Sequence, residues 1–248
     1  MQECAEEVSV DGTPERNELL SGLPPDVFEA IRPGLSLVEL EFRQSLHEPA
    51  EPTPYVYFPL SGVISLLTVL QNGAAVEMGT AGNEGMIDIS SFLGVRNSES
   101  RCIVQVPGRA LRMTRDDFRK ALDRHETLRA LVGAYVMEFF TMVAQSSACN
   151  RSHELRERTA RWILMTHDRV GSDKFPITQE FLAEMLGVQR PSVTHAAVEL
   201  ATERLIAYRR GVMTVIDRKG LENASCECYR LIRNRFDRIA KMRVPAHG

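Results

Sequence analysis

The chain has 248 residues, 44% of them hydrophobic and 25% charged, with a formal net charge of −3. At about 150 residues per domain this is one or two domains, long enough to bury a core. The composition excludes wholesale disorder, collagen-like repeats and coiled-coil monotony. Five cysteines in so long a chain are not a disulfide framework. Their odd number, and a start unlike a signal peptide, point to a reducing cytosol, so the expected location is cytoplasmic.

The small net charge hides an asymmetry. Residues 1–150 hold 12 Lys/Arg against 21 Asp/Glu, whereas residues 151–248 hold 18 against 12. An acidic first part joined to a basic second part makes the second the candidate to meet a polyanion. The plainer alternative is a solvated basic surface.

Residues 1–16 are polar and unpatterned and read as a loose tail. Asn17 to Ile31 reads as one or two short helices, punctuated by Pro24-Pro25. From Leu35 to Met113 the texture is strand-like, with turns at Ser61-Gly62, Asn72-Gly73, Gly82 to Gly85 and Pro107-Gly108. The uncharged run from Pro52 to Val76 contains Pro54, Pro59, Gly62, Gln71, Asn72 and Gly73. A membrane-spanning helix wants about 20 unbroken apolar residues, so the run reads as two strands and no membrane partner is assigned. Many short strands at close spacing predict a β-sandwich or barrel.

Thr114 and Asp117 resemble a capping box opening a short helix through Leu122. A longer helix begins at about Glu126. Within it Leu128, Val132, Tyr135, Phe139 and Met142 step by 4, 3, 4 and 3, a heptad seam. Such a seam serves either a helix packed on its own sandwich or a helix paired with its twin. The aromatic content favours the second, so the expectation is a homodimer joined along this seam.

A further amphipathic helix covers Arg151 to His167, and Asp168 to Phe175 reads as a loop. Next comes a helix over Ile177–Leu186, with Thr178 as N-cap and Gly187 as the left-handed residue that closes it. Arg190-Pro191 opens a second helix running to Arg204, with proline near its first position. Ala183, Gly187 and Val193 supply a small residue at the helix crossing, a glycine in the turn and a β-branched lock. That is the helix-turn-helix arrangement. Leu205–Tyr208 and Val212–Asp217, joined at Arg209-Arg210-Gly211, form a hairpin with a basic tip, the wing of a winged helix.

The chain resembles the CRP/FNR family of bacterial transcription regulators over about residues 17–220. The resemblance rests on Tyr57 to Ser65, on Gly82-Asn83-Glu84-Gly85-Met86 and, most specifically, on Ile177 to Ile206. It implies an α+β chain with a jelly-roll effector domain over residues 17–125 and a dimerisation helix over 126–150. A winged helix-turn-helix follows over 151–220, and residues 221–248 form a C-terminal extension. It further implies duplex DNA with a palindromic site as the partner. Half-sites about one helical turn, 10–10.5 bp, apart would match a two-fold dimer. RNA polymerase is a further candidate partner, although no motif marks a surface for it.

On DNA, the start of the second helix would meet base edges in the major groove. Arg190, whose fork matches the O6 and N7 acceptors of guanine, is the first candidate reader. Gln189, Ser192, Thr194 and His195 lie beside it. Pro191 stands where the family often has Glu, so its usual half-site does not transfer. Thr178 and Gln179 offer a helix N-terminus to phosphate. Arg209 and Arg210 are candidate phosphate clamps, which supply affinity and salt dependence rather than sequence choice.

Members of the family that bind a cyclic nucleotide hold its ribose with a Gly-Glu pair and its phosphate with an Arg followed by Ser or Thr. The matching positions are Gly82, Asn83, Glu84 and Gly85, with Arg101 downstream. Cys102 follows Arg101, so the phosphate cassette is incomplete. The effector, and any cofactor, stays unassigned.

Iron–sulfur members use cysteines near the N-terminus, where only Cys4 stands. Cys149 and His153 share a helical face, and a zinc site joining them to Cys226 or Cys228 is an arrangement the sequence permits. C-x-C is a poor zinc-ribbon spacing, however, and buried free thiols are common. No metal is assigned, and a thiol redox switch stays equally open. Two other functions compete with transcription regulation. One is a small-molecule or cyclic-nucleotide module that regulates a protein partner. The other is an enzyme using Cys149 and His153, which lacks an orienting acid and an oxyanion device. No catalytic residue is assigned.

Overall fold

The computed structural model describes residues 16–241. Residues 1–15, most of the polar tail read from the sequence, lie outside them. Two short helices come first, α1 (Glu18–Ser21) and α2 (Pro25–Ile31). Asn17 caps α1 by accepting from Leu20 N–H. Its amide also donates to Pro59 O and Gly85 O, at 2.9 and 2.8 Å, and so ties α1 to the sandwich.

Strands β1 (Ser36–Leu40), β2 (Ser45–His47), β3 (Tyr55–Pro59), β4 (Val63–Val69) and β5 (Ala75–Ala81) follow. After a short helix, α3 (Ile89–Phe92), come β6 (Ser100–Val106) and β7 (Gly108–Thr114). They form two antiparallel sheets, ordered β1-β7-β3 and β2-β6-β4-β5. Leu40, Tyr57, Ile64, Ala81, Val104 and Ala110 fill the space between the sheets. Strand alternation explains the second core: Leu67 and Ile103 point out of the sandwich, toward the helices that cover it.

Those helices are α4 (Arg115–Arg124) and α5 (Glu126–Ser152). Thr114 caps α4 as expected, accepting from Asp117 N–H at 3.1 Å. The 27 residues of α5 span about 40 Å. Among the described residues, α5 is the one helix long and apolar enough to cross a membrane. Its packing explains its apolar content otherwise. Leu128, Val132, Tyr135, Phe139 and Met142 are all buried within this chain's own core.

This corrects the expected dimer seam. The heptad is real, but it faces the sandwich of the same chain and is closed to a partner. Gly79 in β5 makes the close approach possible, since a Cβ there would stand 2.7 Å from Met142 Cε.

The second half begins with α6 (Leu155–Val170). Then come β8 (Lys174–Pro176), α7 (Gln179–Leu186), α8 (Arg190–Thr202), β9 (Ile206–Arg209) and β10 (Val212–Val215). The segment read as a loop ends in β8, because buried Phe175 anchors it beside β10. Helix α8 stops at Thr202, two residues early, where Arg204 turns left-handed with φ 59°. Two helices complete the described chain, α9 (Arg218–Ala224) and α10 (Cys228–Lys241). The last lies against α5 and α6.

Candidate nucleic-acid interface

Helices α7 and α8 are set by local chemistry. Thr178 Oγ1 accepts from Phe181 N–H at 3.1 Å and caps α7. Gly187 closes it at φ 66°, which leaves Val188 N–H to bond Ala183 O at 3.0 Å. Val193, Ala196, Ala197 and Leu200 form the buried stripe of α8. The opposite face presents Arg190, Ser192 and His195 to solvent, and Gln189 is exposed at the N-cap.

The His195 ring is 78% exposed and stands 3.3 Å from Glu199. Thr194 is placed differently: its hydroxyl is 2.9 Å from Gln179 Oε1 and 3.0 Å from Arg190 O. Thr194 and Gln179 therefore bolt α8 to the start of α7, which withdraws the Thr194 proton from DNA. In the wing, Arg210 and Gly211 take φ 52° and 78°, the two-residue turn that suits a twisted hairpin. The Arg190, Arg209 and Arg210 side chains have no ion-pair or hydrogen-bond partner among the described residues. Three unpaired guanidinium groups on one small domain are suited to a polyanion.

This domain is docked on the sandwich through a polar seam. Arg169 of α6 reaches Glu84 at 2.8 Å, and both side chains are under 10% exposed. Trp162 Nε1 donates to Glu77 Oε1 at 3.0 Å, and Gln105 Nε2 to Thr166 Oγ1 at 2.7 Å. Ser65 Oγ lies 2.9 Å from both Glu77 and Gln105. Burial pushes the Glu77 carboxyl up to about 7, against the opposing pull of Ser65, Arg161 and Arg169.

Two family models match the chain. One is described as a cyclic nucleotide-binding domain and covers residues 37–125; the other is a Crp-like helix-turn-helix domain and covers residues 157–224. Together they span more than half of the sequence, in the order sandwich then DNA-binding domain.

The chain belongs to the CRP/FNR family.

Solved structures share the fold at low identity. FixK2 of Bradyrhizobium japonicum aligns with a TM-score of 0.65 at 13% identity, over 77% of this chain and 98% of that one. A CRP-family transcriptional regulator of Thermus thermophilus aligns at 0.64 and 18%, over 76% and 96%. The c-di-GMP responsive global regulator CLP of Xanthomonas campestris aligns at 0.63 and 12%, over 77% and 99%. No curated relative matches by sequence.

The residues that correspond to the family's cyclic-nucleotide cassette do not form one site here. Glu84 is taken by Arg169, and Gly82 N–H donates back to Glu84 at 3.1 Å. Asn83 O accepts from Glu18 N–H at 2.7 Å, and Gly85 lies against the Tyr135 ring. Arg101 pairs with Glu48 at 2.8 Å.

A cavity of about 290 Å³ lies nearby instead, with none of those five residues in its lining. Its wall includes His47, Thr53, Met86, Asp88, Cys102 and Phe139. His47 Nε2 and Thr53 Oγ1 are buried without a hydrogen-bond partner. Sequence reasoning missed this cavity because its wall comes from separate segments of the chain. It also missed the seam around Glu77, since nothing in the sequence pairs Arg169 with a carboxylate 85 residues away.

Proposed function

We propose that this chain is a cytoplasmic, homodimeric, sequence-specific DNA-binding transcription regulator controlled through its sandwich domain. The observation that carries it is the exposed start of α8, with Arg190, Ser192 and His195 beside a wing tipped by unpaired Arg209 and Arg210. Arg190 reads a base, Gln189, Ser192 and His195 support it, and the wing holds phosphate. Thr178 presents the α7 N-terminus to a further phosphate. Family members regulate transcription rather than catalyse, and Cys149, wholly buried, offers no nucleophile to a substrate.

The dimer uses the face of α5 that the sandwich leaves open. Ala130, Met137, Phe140, Ala144 and Ser147 are exposed and fall on one heptad stripe. Met137 is 62% and Phe140 64% exposed. Large apolar groups set among small ones suit a two-fold helix pair, which would place two α8 helices for a palindromic site.

The effector is a small, largely apolar molecule with a hydrogen-bonding group for His47 and Thr53. About 290 Å³ is at the small end of ligand sites. Its wall holds Asp88 and Glu99 and no Arg or Lys, which disfavours a cyclic phosphate.

Selection from randomised duplex DNA with the purified full chain tests the reading. Enrichment of an inverted repeat is the expected result. Absence of any salt-sensitive DNA binding would leave only the competing role of a module that regulates a protein partner.

A further inference from the structure

Cys149, His153, Cys226 and Cys228 meet where α5 gives way to the DNA-binding domain, and their four ligand atoms all lie within 4.8 Å of one another. Cys149 and His153 stand four apart at the end of α5, where His153 N–H still bonds Cys149 O at 3.1 Å. That spacing puts both on one face. Cys226 and Cys228 sit at the start of α10, where Tyr229 N–H closes the turn on Cys226 O at 3.1 Å.

Cys226 Sγ lies 3.5 Å from Cys149 Sγ, and Cys228 Sγ lies 3.7 Å from His153 Nδ1. Zinc bonds of about 2.3 Å to sulfur and about 2.0 Å to nitrogen set tetrahedral edges of about 3.8 and 3.6 Å. The observed separations are close to those that one tetrahedral ion imposes. An iron–sulfur cluster inserts several iron and sulfide atoms between its thiolates and needs a wider cavity.

The surroundings suit a metal as well as the four atoms do. Glu227 lies 3.0 Å from His153 Nε2, so a carboxylate holds the proton on that nitrogen and frees Nδ1 as ligand. Gln145 Nε2 stands 3.0 Å from Cys228 Sγ and donates to it. Arg158 and Arg161 are buried beside Cys149, each with its Nε unpartnered. A dication on three thiolates carries one net negative charge, which those guanidinium groups compensate.

We propose that Cys149, His153, Cys226 and Cys228 bind one zinc ion as a closed Cys3His centre. Binding displaces three thiol protons to solvent and leaves His153 neutral. The ion fastens the segment before the DNA-binding domain to the segment after it. It thereby fixes that domain, and α10, on the end of α5. The sequence assigned no metal because C-x-C is unusual in a ribbon; the fold brings it to a second ligand pair.

The test uses the full chain purified under reducing conditions. Elemental analysis should find about one zinc per chain, lost in a Cys226→Ser/Cys228→Ser variant. Cobalt exchanged into the wild-type chain should show the strong visible absorption of a tetrahedral thiolate site, a readout that needs no variant to fold. Glu227 is exposed and is no ligand, so Glu227→Gln should keep the fold. It should give up zinc to a chelator at about 10–100-fold lower competitor strength. Three outcomes would overturn the proposal. One is a metal-free chain that takes up no cobalt. The second is iron with acid-labile sulfide. The third is a Cys149–Cys226 disulfide in cells whose thiols were blocked at lysis, which would make the cluster a thiol switch.

Discussion

Glu84 and Arg169 face each other at 2.8 Å across the boundary between the sandwich and the DNA-binding domain, and both are buried. Glu84 belongs to the glycine-rich loop, and Arg169 sits near the end of α6. Arg169 also donates to Thr80 O and Met165 O, at 3.2 Å each, so it holds the loop and its own helix together. Removing one partner of a buried pair leaves an uncompensated charge, which costs about 3–5 kcal/mol. Arg169→Met should therefore destabilise the chain by about that much in chemical denaturation. Glu84→Gln combined with Arg169→Met should recover most of the loss. Additive losses in the double variant would mean that the pair carries no coupling between the domains.

The DNA-binding residues divide by what they read, and two titrations separate them. Arg190→Ala should lose about 1–3 kcal/mol of discrimination at one base position of each half-site while nonspecific binding persists. Arg209→Ala and Arg210→Ala should weaken binding to every sequence alike and lower the salt slope by about one for each phosphate no longer neutralised. Thr194→Val should instead loosen α8 from α7, since its hydroxyl serves Gln179, and should show first as reduced thermal stability.

The contrast between these residues shows what the sequence exposes. Thr178, Gly187 and the Arg210-Gly211 turn are local devices, each complete within a few residues, and all were legible as sequence. The periodicity of α5 was legible too, but periodicity gives a face and not its partner. Leu128 to Met142 turn inward because Gly79 and the outer side of the four-stranded sheet wait there, which no local pattern records. The Glu84–Arg169 pair and the Cys149–Cys226 approach span 85 and 77 residues. Such pairings follow from topology, and topology places them only after the domains dock.

The two faces of α5 give separable phenotypes. Phe140→Glu places a charge on the exposed stripe and should yield monomers in sedimentation analysis, with thermal stability nearly kept apart from the lost association. Leu128→Ala opens a cavity in the inner core and should cost about 2–5 kcal/mol while leaving the monomer–dimer balance of the folded chain intact. The opposite pattern, with Leu128→Ala dissociating and Phe140→Glu silent, would return the seam to the inner face.

The seam around Glu77 makes domain docking sensitive to pH. Ser65 has one hydroxyl proton, yet it lies 2.9 Å from both Glu77 Oε2 and Gln105 Oε1. Gln105 spends its amide on Thr166, which donates in turn to Trp162 O at 3.1 Å, and Trp162 donates to Glu77 Oε1. With the Gln105 amide oriented so, the ring of bonds closes when Glu77 is protonated and donates to Ser65, which then donates to Gln105. Burial raises the Glu77 carboxyl from 4.5 to about 7, with Arg161 and Arg169 as the cations that oppose it and Glu84 neutralised by Arg169. A carboxyl raised in the folded state contributes stability in full below its unfolded value and loses it as pH rises through about 7. Melting temperature of the wild-type chain should fall between about pH 5 and pH 8. Glu77→Gln supplies a neutral donor and acceptor in the same place, so its profile should be flatter and should cross above the wild type near neutrality. Parallel profiles for the two proteins would show that the proton on Glu77 does not govern docking.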